Sequence, residues 1–304
     1  MDLATSPTAG TVAATEAAPP AVSHAHPMAC LNCDTPLTDK FCPHCGQSAA
    51  THRLSMGHLL HEIPHTIWHV DKGIFYTLRE LLLRPGATIL GYLQGQRARH
   101  FAPISLLLLV TGVTSFVAAK LHIGELAQTA LDPNTVAELR EANVHASEWV
   151  MRYMGWLYVA AAPFIALFAR RVLRRNGLNL AENLVAVLYV TAAGNLLSLL
   201  LMPAYYWART GPSYAAMSLA GSVVFTLYQT WAYGQLLLAT PLSRWGRWWR
   251  GLVTALATYG LVLGGTLVVM FASNWGAYKK GFQKEVERQR ALLPKSAPAT
   301  APRP

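Results

Sequence analysis

The sequence predicts an all-α fold. It reads as a polytopic helical membrane bundle of about five spans, carrying a small N-terminal zinc ribbon and an amphipathic interfacial helical segment. Three observations predict this. The 304-residue chain is 53% hydrophobic and only 13% charged, where a soluble domain carries about 25% charged residues. Long apolar runs edged by arginine clusters fill the chain beyond residue 100. Four cysteines, in two C-x-x-C pairs, stand ahead of those runs.

In chain order, residues 1–28 are rich in Ala, Thr and Pro without apolar periodicity and read as a disordered tail. No basic segment precedes an apolar stretch there, so no signal peptide is expected. Residues 29–48 form the cysteine module, with spacing C-x2-C-x8-C-x2-C. Each knuckle, Cys30-Leu-Asn-Cys33 and Cys42-Pro-His-Cys45, can turn two thiolates toward one tetrahedral ion. Asp34, Thr35, Pro36, Thr38, Asp39 and Lys40 supply turn chemistry between them, enough for a small hairpin. Gly46 is expected at positive φ, where backbone amides can point back at sulfur. The segment holds too little apolar mass to fold unaided, so metal binding would supply its folding energy. Neither knuckle is followed by the His of a c-type haem site, and a redox dithiol needs one pair, not two. The predicted ligands are Cys30, Cys33, Cys42 and Cys45, and the predicted cofactor is a structural Zn2+ with no open coordination position.

Residues 52–100 are expected to form amphipathic interfacial helices. His58, His61, His65 and His69 recur at helical spacing, and His61-Glu62-Ile63-Pro64-His65 matches H-E-x-x-H formally. Pro64 lies between those ligands and opposes one continuous helix. An interfacial helix, a metallohydrolase site using His61, Glu62 and His65, and a second metal site using His61, His65 and His69 all remain open. Asp71 is a candidate N-cap, and Pro85 a helix stop and new start. Phe75, Leu78, Leu81 and Leu82 form an apolar stripe opposite Lys72, Arg79 and Glu80, as on a helix lying at a membrane surface or packed under a bundle. Arg97 and Arg99 precede the first span, as topological anchors or as ligands of lipid phosphate.

Residues 101–274 hold five stretches, about 101–119, 153–170, 184–206, 218–240 and 251–273, each long enough to cross a hydrocarbon layer of about 30 Å. Trp149, Tyr153 and Trp156, Tyr205, Tyr206 and Trp207, and Trp245, Trp248 and Trp249 sit where aromatic belts belong. Arg170, Arg171, Arg174 and Arg175 lie between the second and third stretches, and Arg244, Arg247 and Arg250 between the fourth and fifth. The opposing loop 120–148 is richer in acidic residues. Positive-inside reasoning therefore places the cysteine module and both arginine loops in the cytoplasm. Residues 275–304 are expected as a basic disordered tail, whose Lys279, Lys280, Lys284, Arg288 and Arg290 run against that orientation.

Several of these segments resemble a known family. The two knuckles with Phe41-Cys-Pro-His-Cys-Gly-Gln47, then His52-Arg53, Asp71-Lys-Gly-Ile-Phe75, Arg84-Pro-Gly86, Gly95-Gln-Arg97 and Pro103 resemble a family of uncharacterised bacterial multi-pass membrane proteins with an N-terminal zinc-ribbon-like motif. The similarity covers roughly residues 30–110. It implies the architecture and no activity.

The net charge of +10 lies in short clusters flanking apolar segments, so nucleic acid is not predicted as a partner. The spans carry almost no ionisable residue, with Glu182 at the edge of the third. Asn195, Gln229 and Gln235, near Tyr228 and Tyr233, suit interhelical hydrogen bonds or a polar cavity. Gly260 and Gly264 suit close helix packing. No P-loop, nucleophile elbow or dinucleotide glycine pattern stands in a suitable context, and no catalytic residue is assigned. The sequence thus points to a non-enzymatic docking or assembly role, with the lipid bilayer and a cytoplasmic protein as partners. A transporter or channel for a neutral or lipid-like solute and a membrane-associated metallohydrolase are the alternatives.

Overall fold

Proline and capping residues set the helix starts. The computed structural model describes residues 29–57, 73–123, 137–209 and 211–292. Eight α-helices form among them. α1 (Ile74–Leu83) and α2 (Pro85–Leu93) are separated by Arg84, whose φ −145° and ψ 57° break the helix, and Pro85 restarts it at its first position. α3 (Pro103–Lys120) also begins on a proline. α4 (Ala137–Val172) is the longest helix and includes Pro163. α5 (Leu180–Trp207) starts in a capping box: the Asn179 side chain accepts from Glu182 N–H, and the Glu182 carboxylate accepts from Asn179 N–H. α6 (Gly211–Gln235), α7 (Arg244–Ser273) and α8 (Trp275–Leu292) complete the described chain. The Ser243 hydroxyl caps α7 by accepting from Gly246 N–H at 3.1 Å.

α5 is the axis of the bundle. Every residue from Ala181 to Asn195 is buried, because α3, α4 and α6 surround it and α1 and α2 pack on its first turns. α7 closes the other side against α4 and α6. Successive long helices run antiparallel. At one end Arg250 donates to Val172 O at 2.6 Å, tying the start of α7 to the end of α4. At that same end Gly86 N–H donates to the Gln235 amide oxygen at 2.9 Å, tying α2 to the end of α6. At the opposite end the Tyr278 hydroxyl donates to Asn143 Oδ1 at 2.6 Å, joining α8 to the start of α4.

Four helical segments are long and apolar enough to cross a membrane: Pro103–Lys120, Asn143–Val172, Leu180–Trp207 and Arg244–Ser273. They correspond to the first, second, third and fifth predicted stretches; the first starts two residues late, and the last three are extended by several residues at one or both ends. The fourth stretch, 218–240, falls instead on α6, which starts at Gly211 and ends at Gln235. Gln235 spends its side chain on the α2 backbone, and a turn follows at once.

Three further expectations need correction. Residues 275–304 are not all a disordered tail, since Trp275–Leu292 is helical and rests on the start of α4. A Cβ on Gly260 or Gly264 would meet nothing within 4 Å among the described residues, while Gly251 lets α7 approach the backbone of Thr230 on α6. Phe75 does not join the buried stripe of α1; Leu81 is fully buried, whereas Phe75 is 86% exposed. Residues 1–28, 58–72 and 293–304 lie outside the described residues, and with them both outermost tails, Asp71 and the histidine stripe.

Candidate metal centre and its seat on the bundle

The cysteine module is one turn used twice. Cys30 N–H donates to Thr35 O and Asp34 N–H donates to Cys30 O, both at 2.9 Å. Twelve positions on, Cys42 N–H donates to Gln47 O at 2.8 Å and Gly46 N–H to Cys42 O at 2.9 Å. Asp34 and Gly46 occupy the same left-handed position, at φ 58° and 73°. Glycine and aspartate are among the residues that tolerate it. Each turn is closed by its own isolated antiparallel bridge, Ala29 to Pro36 and Phe41 to Ser48. The linker between the knuckles is therefore not the hairpin expected; each knuckle folds on itself, and the two face each other across the sulfurs.

That pairing converges four thiols. Cys30 Sγ lies 3.5 Å from Cys45 Sγ, and Cys33 Sγ lies 3.5 Å from Cys42 Sγ. All four sulfurs lie within 4.8 Å of one another, and none forms a disulfide. A tetrahedral ion with metal–sulfur bonds of about 2.3 Å separates its sulfurs by about 3.8 Å, so the donor set fits a single ion. The surroundings treat the thiols unequally. The Thr35 hydroxyl, 3.2 Å from Cys33 Sγ, helps to hold that thiol down at about 5. Burial pushes Cys45 up to about 11. Asn32 N–H points at Cys30 Sγ from 3.4 Å, one of the backbone-to-sulfur contacts anticipated, whereas Gly46 N–H serves a carbonyl.

The module is seated on the bundle by polar contacts. Gln47 is 7% exposed, and its amide is fully engaged by the loop between α2 and α3. Its Nε2 donates to Gly95 O at 2.7 Å, and its Oε1 accepts from Arg97 N–H and Ala98 N–H, both at 3.0 Å. Gly95 has φ 109°, and a Cβ there would meet Leu31 Cδ1 at 2.7 Å, so the loop presses its backbone against the first knuckle. Arg97 donates to His52 O at 2.7 Å and Arg99 to Asn32 O at 3.3 Å. The two arginines thus bind carbonyls of the module and of the segment after it.

A second seat follows. Arg53 donates to both Glu182 carboxylate oxygens, at 2.7 and 2.8 Å, and to Gly177 O at 3.2 Å. The Asn179 amide donates to Leu54 O at 2.9 Å, and Leu54 is buried in the main core. The segment leaving the module is therefore bolted to the first turn of α5. Below it, Phe101 N–H donates to Thr77 Oγ1 at 2.8 Å and the Tyr189 hydroxyl to Phe101 O at 2.7 Å, which ties the entry to α3 to both α1 and α5. His100 is 7% exposed, with Nδ1 2.6 Å from Gln96 O and its ring against Tyr76 and Tyr92. Burial lowers its pKa.

The four cysteines come together as expected. His61, Glu62, His65 and the rest of the histidine stripe lie outside the described residues. Sequence reasoning missed Gln47, Arg53 and Asn179 as anchors. Asn-x-x-Glu ahead of an apolar run at 179–182 was a readable cap signal; the contacts of Gln47 and Arg53 cross 48 and 129 residues and left no local trace.

Residues 71–114 match a family described only as a protein of unknown function, DUF3667. No curated protein and no solved structure matches the chain. The matched segment includes α1, α2, the loop that grips Gln47 and the first two-thirds of α3.

Proposed function

We propose that this is a multi-pass protein of the bacterial inner membrane whose cysteine module holds one structural Zn2+ on the cytoplasmic side and serves docking or assembly, not catalysis. The observation that carries this reading is the seat of the module. Gln47, Arg53 and the loop arginines lock it over the entry to α3 and α5, so the ion's folding energy is spent on fixing helix ends. Four chain-supplied sulfurs leave a bound ion no open position, which suits structure over chemistry. The arginines at 97, 99, 170, 171, 244, 247 and 250 all belong to the module's end of the bundle, which favours placing that end in the cytoplasm. The module's outward side carries Lys40, Phe41, Pro43 and His44 exposed, with Phe41 at 63%, and is the face offered to a protein partner.

Changing Cys30 and Cys42 together to Ser tests the reading. Loss of the ion, reduced abundance in the membrane and loss of partner cross-linking are expected, while Phe41→Asp keeps the ion and loses the cross-link alone. Unchanged abundance and interactions in the cysteine variant would overturn it.

A specific observation favours passage of a neutral or lipid-like solute as a second reading. A cavity of about 250 Å³ lies between α4, α5, α6 and α7, lined by the hydroxyl-bearing Tyr158, Ser198, Tyr205, Ser222, Tyr259 and Thr266. Gln229, one turn below Phe225 in its wall, is 1% exposed with neither amide atom hydrogen-bonded. Asn195 sits differently, its amide donating to Thr191 O at 3.0 Å within α5. Flux of a neutral solute into liposomes, abolished by Gln229→Leu with Ser222→Val, would support this reading; flux unaffected by both changes would dismiss it.

A further inference from the structure

At the end of the bundle away from the cysteine module, α3 and α4 line a groove of about 730 Å³. Its length has a meaning. The wall on α3 runs from Leu108 through Gly112 and Phe116 to Ala119, twelve residues and eleven helical rises. At about 1.5 Å per residue this spans about 16 Å, the depth of one leaflet in a hydrocarbon layer of about 30 Å. The facing wall on α4 is Met151, Gly155 and Trp156. Phe116 and Trp156 are more than 60% exposed, so the groove opens sideways between two aromatic lips.

The mouth has a different chemistry from the floor. His122, Glu148 and Arg152 line it, and Glu148 and Arg152 stand one turn apart on α4. No ion pair joins them, and neither has a hydrogen-bond partner among the described residues. A cation and an anion one turn apart above an apolar slot one leaflet deep match an amphiphile that carries both charges at its head. We propose that this groove binds one zwitterionic aminophospholipid from the leaflet opposite the cysteine module. Its phosphate accepts from the Arg152 guanidinium, its ammonium donates to the Glu148 carboxylate, and one acyl chain lies along Gly112 and Gly155. Glu148 gives the site its selectivity, since a lipid with only a phosphate meets the carboxylate with nothing to neutralise it. A quaternary ammonium head lacks the N–H donors that the carboxylate accepts.

This inference rests on the membrane placement of α3 and α4 proposed above. The test is native mass spectrometry of the full-length protein released from detergent micelles, titrated with phosphatidylethanolamine and separately with phosphatidylglycerol. The wild-type protein should hold one phosphatidylethanolamine and prefer it over phosphatidylglycerol by about tenfold, the worth of one charge-assisted contact. Phosphoethanolamine, the head without chains, should fail to compete, which separates an inserted lipid from a free phosphate at the mouth. Glu148→Gln should erase the preference. Gly112→Phe should abolish the adduct, because no described residue lies within 4 Å of a Cβ at that position and the ring enters the groove. Gly112→Leu is the milder filling variant, and the helical circular dichroism and thermal unfolding midpoint of each variant in detergent report that it has folded. Equal binding of the two lipids by the wild type, or an adduct that survives a folded Gly112→Phe or Gly112→Leu protein, would overturn the proposal while leaving the membrane reading intact. A chain that purifies without detergent and leaves membranes in alkaline carbonate would overturn both.

Discussion

Arg53→Ala tests whether the cysteine module is fastened to the bundle or only adjacent to it. The Glu182 side chain is 5% exposed and that of Arg53 65%, with the guanidinium donating to both carboxylate oxygens at 2.7 and 2.8 Å. Removing one partner of a fully buried pair costs about 3–5 kcal/mol, because the other charge is left without compensation. Here water reaches the arginine side, so the expected loss is smaller than for such a pair. Glu182→Gln behaves differently. A Gln oxygen still accepts from Asn179 N–H, now 2.7 Å from the carboxylate, so the helix cap survives. The buried charge disappears, and the expected loss is about 1 kcal/mol. Once that charge is gone, deleting Arg53 should add little. The double variant should therefore unfold close to Glu182→Gln alone, with a coupling of about 1 kcal/mol or more. The assay is thermal unfolding of the four proteins in one detergent, where each kcal/mol moves the midpoint by about 2–4 °C. Independent, additive losses, or an Arg53→Ala protein as stable as the wild type, would refute the reasoning.

Other perturbations separate seat from ion. Gln47→Ala takes its amide away from Gly95 O and from the Arg97 and Ala98 N–H groups, although Arg97 N–H keeps Gly95 O at 2.8 Å. It should cost about 1–3 kcal/mol and speed amide exchange across 94–98 while the metal content is unchanged. Gly95→Ala combines a φ of 109° with contact against Leu31 and should give the same phenotype; normal exchange in both variants would count against the seat. The pH dependence follows from His100. Its buried ring is held neutral, with its pKa below the ordinary value and with Tyr76, Tyr92, Arg99 and Glu80 around it. The stability it contributes is complete above about pH 6.5. It is lost as pH falls from there through the lowered value, because the unfolded ring takes up the proton first. Unfolding midpoints measured between pH 7.5 and 5 should fall for the wild type and fall less for His100→Gln. Parallel curves would remove His100 from the account.

What was legible in the sequence was what chemistry or periodicity makes local. Cys30, Cys33, Cys42 and Cys45 announce a shared ion through spacing alone, and their sulfurs do converge. Pro85 and Pro103 mark helix starts because proline fits the first turn and little else in a helix. Apolar length placed most of the long helices. Their ends were harder, because polar residues extend helices beyond the apolar run: α4 begins at Ala137, sixteen residues before the predicted span. The basic run at 279–290 carries no apolar face long enough to signal burial, yet Tyr278 finds Asn143 and the segment is helical. The seat of the module was illegible for a simpler reason. Gln47 and Arg53 look like surface residues until the chain returns to them from positions 95 and 182, and only the tertiary fold supplies that return. The contact of Arg97 with a carbonyl 45 residues upstream was hidden for the same reason.

X-ray absorption at the metal edge of the purified full-length protein, with metal counted per chain, examines the centre of this account directly. One zinc per chain in a shell of four sulfurs at about 2.3 Å, lost when Cys30 and Cys42 become serine, is the predicted result. A chain without an ion, a shell with nitrogen or oxygen ligands, or sulfurs recovered as disulfides would contradict it.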